Sequence, residues 1–226
     1  MRDGARTELC IFDLDGTLLN TIDDIADSLN RVLRANHYPT YNVAWYKEKV
    51  GHGAKKLLED ALPPEHGLDE KSFTELLLMY KEDYRLNNAV MTKPYDGIPE
   101  LLRRLGEINV KIAVISNKPH ESTCALLKKY FRGVSFVAVY GEKPGMPIKP
   151  DPSIAYGIIA TAGASPEQTL IIGDAEVDMI FAERASIFSI GVLWGFRNRA
   201  ILEKHGAKAI IETPGQILEY IGGLHE

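Results

Sequence analysis

The chain has 226 residues, 45% of them hydrophobic and 25% charged, and its 26 basic and 31 acidic residues leave a net charge of −5. At about 100–200 residues per domain, this predicts one large domain or one domain carrying a smaller insert, and the apolar fraction excludes an intrinsically disordered chain. An acidic chain without a basic run is a poor partner for nucleic-acid phosphates, and its apolar runs fall well short of the roughly 20 residues a membrane span needs.

Residues 1–9 are polar and charged and show no secretory signal, so a cytoplasmic protein is expected. The first β-branched, apolar run covers residues 9–12. Ile22, Ile25, Ala26, Leu29 and Leu33 then repeat at three and four, the spacing of one amphipathic helix. Leu57, Leu58 and Leu62 suggest a second helix, ended by Pro63-Pro64, and Phe73, Leu76, Leu77 and Tyr80 a third. So long a helical stretch is too much for a crossover between strands, and residues 19–92 are expected to form an inserted all-helical subdomain. Its hinges fall near residues 18–21 and 92–97, where Lys93-Pro94 and Asp96-Gly97 break regular structure.

Further strand-like runs cover residues 111–115, 136–139, 169–172, 187–192 and 209–211, with helical or turn segments between them. This alternation predicts an α/β core of residues 1–18 and 93–226, an open, mostly parallel, doubly wound (Rossmann-like) sheet. Residues 141–152 hold four of the twelve prolines and are expected to form an irregular loop. Cys10 and Cys124 sit in apolar stretches without metal-ligand spacing, so buried thiols are expected.

Chemistry-bearing residues cluster where strands end. Asp13-Leu14-Asp15-Gly16-Thr17 follows the first run, and residues two apart on a strand project to one side, which brings two carboxylates to the edge where open α/β sheets bind ligands. A plain strand-to-turn junction also accounts for Asp-Gly. Ser116-Asn117-Lys118-Pro119 ends the second run; Ser116 or Asn117 could cap a helix there or offer donors to a phosphate. Lys149 lies in Lys149-Pro150-Asp151-Pro152, stiffened by proline, and is either a solvated lysine or a fixed positive charge. In Gly173-Asp174-Ala175-Glu176-Val177-Asp178 the spacing puts Asp174 and Asp178 on one helical face. Four strand ends carrying such groups in succession fit one shared site better than four coincidences. Asp13, Asp15, Asp174 and Asp178 against one lysine call for a hard divalent cation with oxygen ligands, and magnesium is the usual one beside phosphate. There is no His–Cys cluster for zinc, and no P-loop, dinucleotide fingerprint or G-x-S-x-G elbow.

These four segments, in this order, resemble the signatures of the haloacid dehalogenase-like hydrolases over nearly the whole chain, and the helical insert resembles that superfamily's C1-type cap. Val50-Gly51-His52-Gly53-Ala54 and Ser116-Asn117-Lys118-Pro119 are most similar to phosphoglycolate phosphatases, though pyrophosphatase and sugar-phosphatase relatives share much of this. The resemblance implies that Asp13 is the nucleophile, becoming an aspartyl phosphate, and that Asp15 protonates the leaving alcohol and then activates water. It implies magnesium on Asp13, the Asp15 carbonyl and Asp174, with Asp178 acting directly or through water. Ser116, Asn117 and Lys149 would hold the phosphoryl oxygens of a small phosphorylated metabolite. His52 and Lys55, near the cap turn, are candidate substrate contacts; an exposed loop histidine equally accounts for His52. Ala175 departs from the family, since many relatives carry serine there. A phosphomutase would need a helper group in Leu18-Leu19-Asn20-Thr21, which offers no evident acid–base side chain, and a non-catalytic binding module on the same fold is the remaining alternative.

Overall fold

A computed structural model describes residues 6–222. Strand β1 (Leu9–Phe12) has all four residues fully buried. After the two-residue strand β2 (Leu19–Asn20) come four helices: α1 (Ile22–Ala35), α2 (Val43–Lys49), α3 (Gly53–Ala61) and α4 (Glu70–Asn87). Strand β3 (Lys93–Pro94) pairs antiparallel with β2, so the chain leaves and re-enters the sheet layer through a two-stranded ribbon. The ribbon lies where the breaker residues put the hinges. The rest is α5 (Ile98–Glu107), β4 (Lys111–Pro119), α6 (His120–Tyr130), β5 (Phe136–Glu142), α7 (Ser153–Ala162), β6 (Thr169–Gly173), α8 (Glu176–Arg184), β7 (Phe188–Val192), α9 (Arg199–Lys204) and β8 (Ala209–Ile211).

The main sheet is wholly parallel, in the order β5-β4-β1-β6-β7-β8. Alternation along β1 shows why both faces are covered. Cys10 and Phe12 join an apolar cluster with Leu101, Leu105 and Ile217 on one side, while Leu9 and Ile11 join Ile158 and Phe181 on the other. Helices α1–α4 form a third cluster around Leu29, Leu33, Tyr46, Leu58 and Tyr80.

Three local differences from the sequence pattern have simple causes. Helix α2 buries only Tyr46 and so has no apolar stripe; Asn42 makes its start by accepting the Trp45 N–H at 2.9 Å. Strand β4 runs through Ser116 and Asn117 to Pro119, and α6 begins only at His120, so neither Ser116 nor Asn117 is a helix cap. Cys10 is buried as expected, whereas Cys124, on the outer turn of α6, is only half-buried.

Candidate active site

The order β4-β1-β6 places the ends of three adjacent strands side by side beneath the helical insert. Asp13 follows β1, Lys149 comes from the loop after β5, and Asp174 follows β6. These three residues, with Asp178 from α8, are all buried. Asp13, Asp174 and Asp178 each offer an oxygen within 4.8 Å of the others. Lys149 lies between two of them, its Nζ 2.8 Å from Asp13 Oδ1 and 2.6 Å from Asp178 Oδ1. Each carboxylate is held by further donors. Asp13 Oδ1 also accepts the Leu14 N–H at 2.7 Å. Asp174 accepts the Thr17 hydroxyl at 2.8 Å and the Phe196 N–H at 2.9 Å. Asp178 Oδ2 accepts the Ala175 N–H at 3.1 Å, so a backbone group holds it with no need of a side chain at position 175. Gly195 makes room for this packing, since a Cβ there would overlap the Asp174 side chain.

Asp15 does not join the carboxylate cluster, which corrects the expectation drawn from its two-residue spacing to Asp13. β1 ends at Phe12 and Gly16 takes φ +86°, so Asp15 is outside the extended register. Its charge is met instead by Lys118, whose Nζ lies 2.7 Å from both oxygens, and by the Thr21 hydroxyl at 2.7 Å. Asp174 likewise precedes α8, so it is the loop after β6, and not a shared helical face, that brings it to Asp178.

The other expected residues divide. Ser116 is buried and lines the cleft, its hydroxyl accepting the Lys118 N–H at 3.3 Å. The Asn117 side chain is occupied: it donates to the carbonyls of Gly51 (2.9 Å) and Lys149 (3.0 Å) and accepts the Lys149 N–H (2.9 Å). It thus ties the lysine's backbone to the insert, and only its main chain is left to face a ligand. His52 turns to Glu176, 3.1 Å away, and Lys55 to Glu59 at 4.0 Å; neither side chain lines the cleft, and both border a second groove that α3 forms with Glu142 and Ile148 of the core. The turn at residues 51–53 does reach the site, but through its backbone.

Two residues that no sequence pattern marks brace the insert, one against the core and one within the insert itself. Buried Arg197, in the loop after β7, holds Glu176 at 2.7 Å and donates to the Val50 carbonyl at 2.8 Å and to that of Lys47. Asp24, at the start of α1, accepts the N–H groups of Val90 (3.1 Å), Met91 (2.9 Å) and Thr92 (2.8 Å), anchoring the returning connection. The insert side of the cleft is mostly apolar and aromatic, with Ile25, Val50, Leu57, Tyr80 and Tyr84, and carries one ammonium, Lys81, whose Nζ lies 3.2 Å from Glu142 of the core.

The electrostatics show a shortage of positive charge. Burial, reinforced by Asp178 and Asp174, pushes the Asp13 carboxyl well above its usual range despite Lys149. Burial and Asp178 push Asp174 up to about 7, against the Phe196 and Thr17 hydrogen bonds. Burial works against the Lys149 ammonium, but Asp13 and Asp178 outweigh it and hold its pKa above the ordinary lysine value. An unfolded aspartate titrates near 3.8, so between there and about 7 the folded chain retains a proton at Asp174 that the unfolded chain has lost. Stability from this source therefore falls as pH rises through that window. Without metal, melting is expected to occur at a higher temperature at about pH 5 than at about pH 7.5, and added Mg2+ to raise it more at the higher pH, where protons compete less for Asp174. Calorimetry at both pH values checks this; equal Mg2+ shifts would contradict it.

Residues 10–192 match the model of the haloacid dehalogenase-like hydrolase family. The chain is 30% identical over 196 residues to a phosphoglycolate phosphatase of Mesorhizobium japonicum, covering 86% of each protein. It is 33% identical to one of Aquifex aeolicus, covering 82% of this chain and 84% of the relative. A solved structure from Lactobacillus delbrueckii subsp. bulgaricus superposes with a TM-score of 0.88 at 30% identity, over 96% of this chain and 99% of that one.

Proposed function

The chain belongs to the haloacid dehalogenase-like hydrolases and is a phosphatase, and from that premise we propose that it hydrolyses a small phosphate monoester, 2-phosphoglycolate, with magnesium and through an aspartyl phosphate on Asp13. The observation that carries this reading is the buried group of Asp13, Asp174 and Asp178 with Lys149 bridging two of its members. The names of the two relatives support the choice of substrate.

The donor set fits a hard divalent cation. Three buried carboxylates face one ammonium, and burial holds two of them well above the usual carboxylate range, which leaves oxygen ligands short of positive charge. Asp13, Asp174 and the Asp15 carbonyl would hold magnesium, with Asp178, already engaged by Lys149 and the Ala175 N–H, supporting them through water. Bound there, the ion would supply charge to offset that of the incoming phosphate dianion.

The chain's own groups then divide the chemistry. The Leu14 N–H and Lys149 fix Asp13 through Oδ1, which leaves Oδ2 to approach phosphorus. As the Asp13 oxygen bonds to phosphorus, the ester P–O bond breaks and Asp15, having taken up a proton from solvent as it turns from Lys118 toward the ester oxygen, passes that proton to the leaving alcohol. Asp15 next takes a proton from water as the water oxygen attacks phosphorus, and the bond to Asp13 breaks to release phosphate. Lys149 and donors at residues 116–117 offset charge on the transferring oxygens. Residues 19–92 serve as the cap that excludes bulk water, with residues 1–18 and 93–226 as the catalytic core.

Phosphate release measured over 2-phosphoglycolate, pyrophosphate, nucleotides and sugar phosphates, with and without Mg2+, tests the reading. Metal-dependent release that is fastest from 2-phosphoglycolate is expected; no release from any of them, or release indifferent to a chelator, would refute it.

A further inference from the structure

Resting on the phosphatase reading, we propose that Lys118 and Tyr84 form a subsite for an anionic group on the leaving half of the substrate, selecting phosphate esters whose alcohol carries a carboxylate, or a second phosphate, within a bond or two of the ester oxygen. Lys118 plays no part in the phosphoryl transfer described above, yet its side chain is only 3% exposed, a costly place for an ammonium. Its Nζ lies 2.7 Å from both oxygens of Asp15 and 4.5 Å from the centre of the Tyr84 ring. Tyr84 is 4% exposed and lines the same cleft, and its hydroxyl finds no hydrogen-bond partner among the described residues. A buried donor left unmatched beside a cleft is what a ligand would be expected to satisfy.

The position follows from the work of Asp15. To reach the ester oxygen it has to turn away from at least one of its contacts with Lys118, leaving a buried ammonium short of an acceptor. Because Lys118 touches Asp15 and not Asp13, the unmet charge lies on the leaving-group side, away from the phosphoryl pocket of Lys149. An anion attached close to the ester oxygen replaces the lost contact and accepts from the Tyr84 hydroxyl as well. A longer polar leaving group, such as a sugar or nucleoside, would instead press its hydroxyls on Ile25 and Leu57, the ammonium on that wall, Lys81, being already paired with Glu142.

The test is a ratio, so that defects shared by all substrates cancel. kcat/KM is measured for 2-phosphoglycolate, pyrophosphate and 2-hydroxyethyl phosphate, the analogue whose leaving alcohol is uncharged, in the wild type, Lys118→Met and Tyr84→Phe. The wild type is expected to favour 2-phosphoglycolate over the analogue by about 10- to 100-fold, the usual worth of a hydrogen bond to a charged group. Lys118→Met should erase most of that preference, and Tyr84→Phe reduce it several-fold. A pyrophosphate preference that falls in parallel identifies a general anion subsite, and one untouched by either change identifies a carboxylate subsite; both support the proposal. If Lys118 merely positions Asp15, all three substrates slow equally and the ratio stays constant, which overturns it; should Lys118→Met not fold, an unchanged ratio in Tyr84→Phe does so alone. A wild type that hydrolyses 2-hydroxyethyl phosphate as fast as 2-phosphoglycolate refutes the subsite but leaves the phosphatase reading standing. One that hydrolyses nothing refutes both.

Discussion

Asp13→Asn is expected to lower phosphate release by at least about 10⁴-fold, the scale of losing a covalent nucleophile, without unfolding the chain. Asparagine keeps the size of the side chain and an oxygen to accept the Leu14 N–H, which lies 2.7 Å away in the native chain. It lacks an anionic oxygen to bond to phosphorus. It also removes one of three mutually repelling buried carboxylates, and that repulsion is part of what holds Asp13 above its usual range. The variant should therefore melt no lower than the wild type near neutral pH without metal, and gain less from added Mg2+. Turnover within tenfold of the wild type would mean that the nucleophile lies elsewhere.

Lys149→Met should cost both activity and stability. The ammonium is in contact with both Asp13 and Asp178, in a side chain 1% exposed. Removing one partner of a buried pair costs about 3–5 kcal/mol, because the remaining charges have neither water nor a counter-ion. The transferring phosphoryl group also loses its fixed cation, a loss of about 10²–10³-fold or more in kcat by analogy with removal of one oxyanion donor. Mg2+ is expected to restore part of the melting temperature, since it supplies charge to the same carboxylates, but not the turnover. Thermal melts and steady-state rates with and without metal separate the two effects. Wild-type turnover in the folded variant would remove Lys149 from the chemistry.

What the sequence disclosed, and what it hid, follow from how local each signal is. The β1 run followed by Asp13, and β6 ending in Gly173 and followed by Asp174, are read within a few residues, because a buried parallel strand is a continuous apolar stretch and its end is marked by an abrupt polar turn. Helices α1 and α4 declared themselves through apolar spacing. Helix α2 did not, because with one buried residue among seven it has no period to detect.

The site's less visible members depend on contacts across the fold. Lys118 stands beside Asn117 in a segment that reads as a helix start, and only the extension of β4 to Pro119 reveals its partner, Asp15, 103 residues earlier in the chain. Arg197 reaches Val50 across 147 residues, with no flanking pattern to mark it. His52 and Lys55 show the converse. The turn that carries them does meet the core, through Gly51 and Asn117, but the periodicity of a short helix does not say which of its side chains turn inward. The strand rule that puts Asp15 on the same side as Asp13 stops applying where β1 does, at Phe12.

The most direct test of the account is chemical trapping of the intermediate. Wild-type protein turning over 2-phosphoglycolate with Mg2+ is quenched in acid and treated with borohydride, which reduces an aspartyl phosphate to homoserine, and its peptides are read by mass spectrometry. The account predicts homoserine at position 13, dependent on substrate and absent from Asp13→Asn. Homoserine at another aspartate would contradict it.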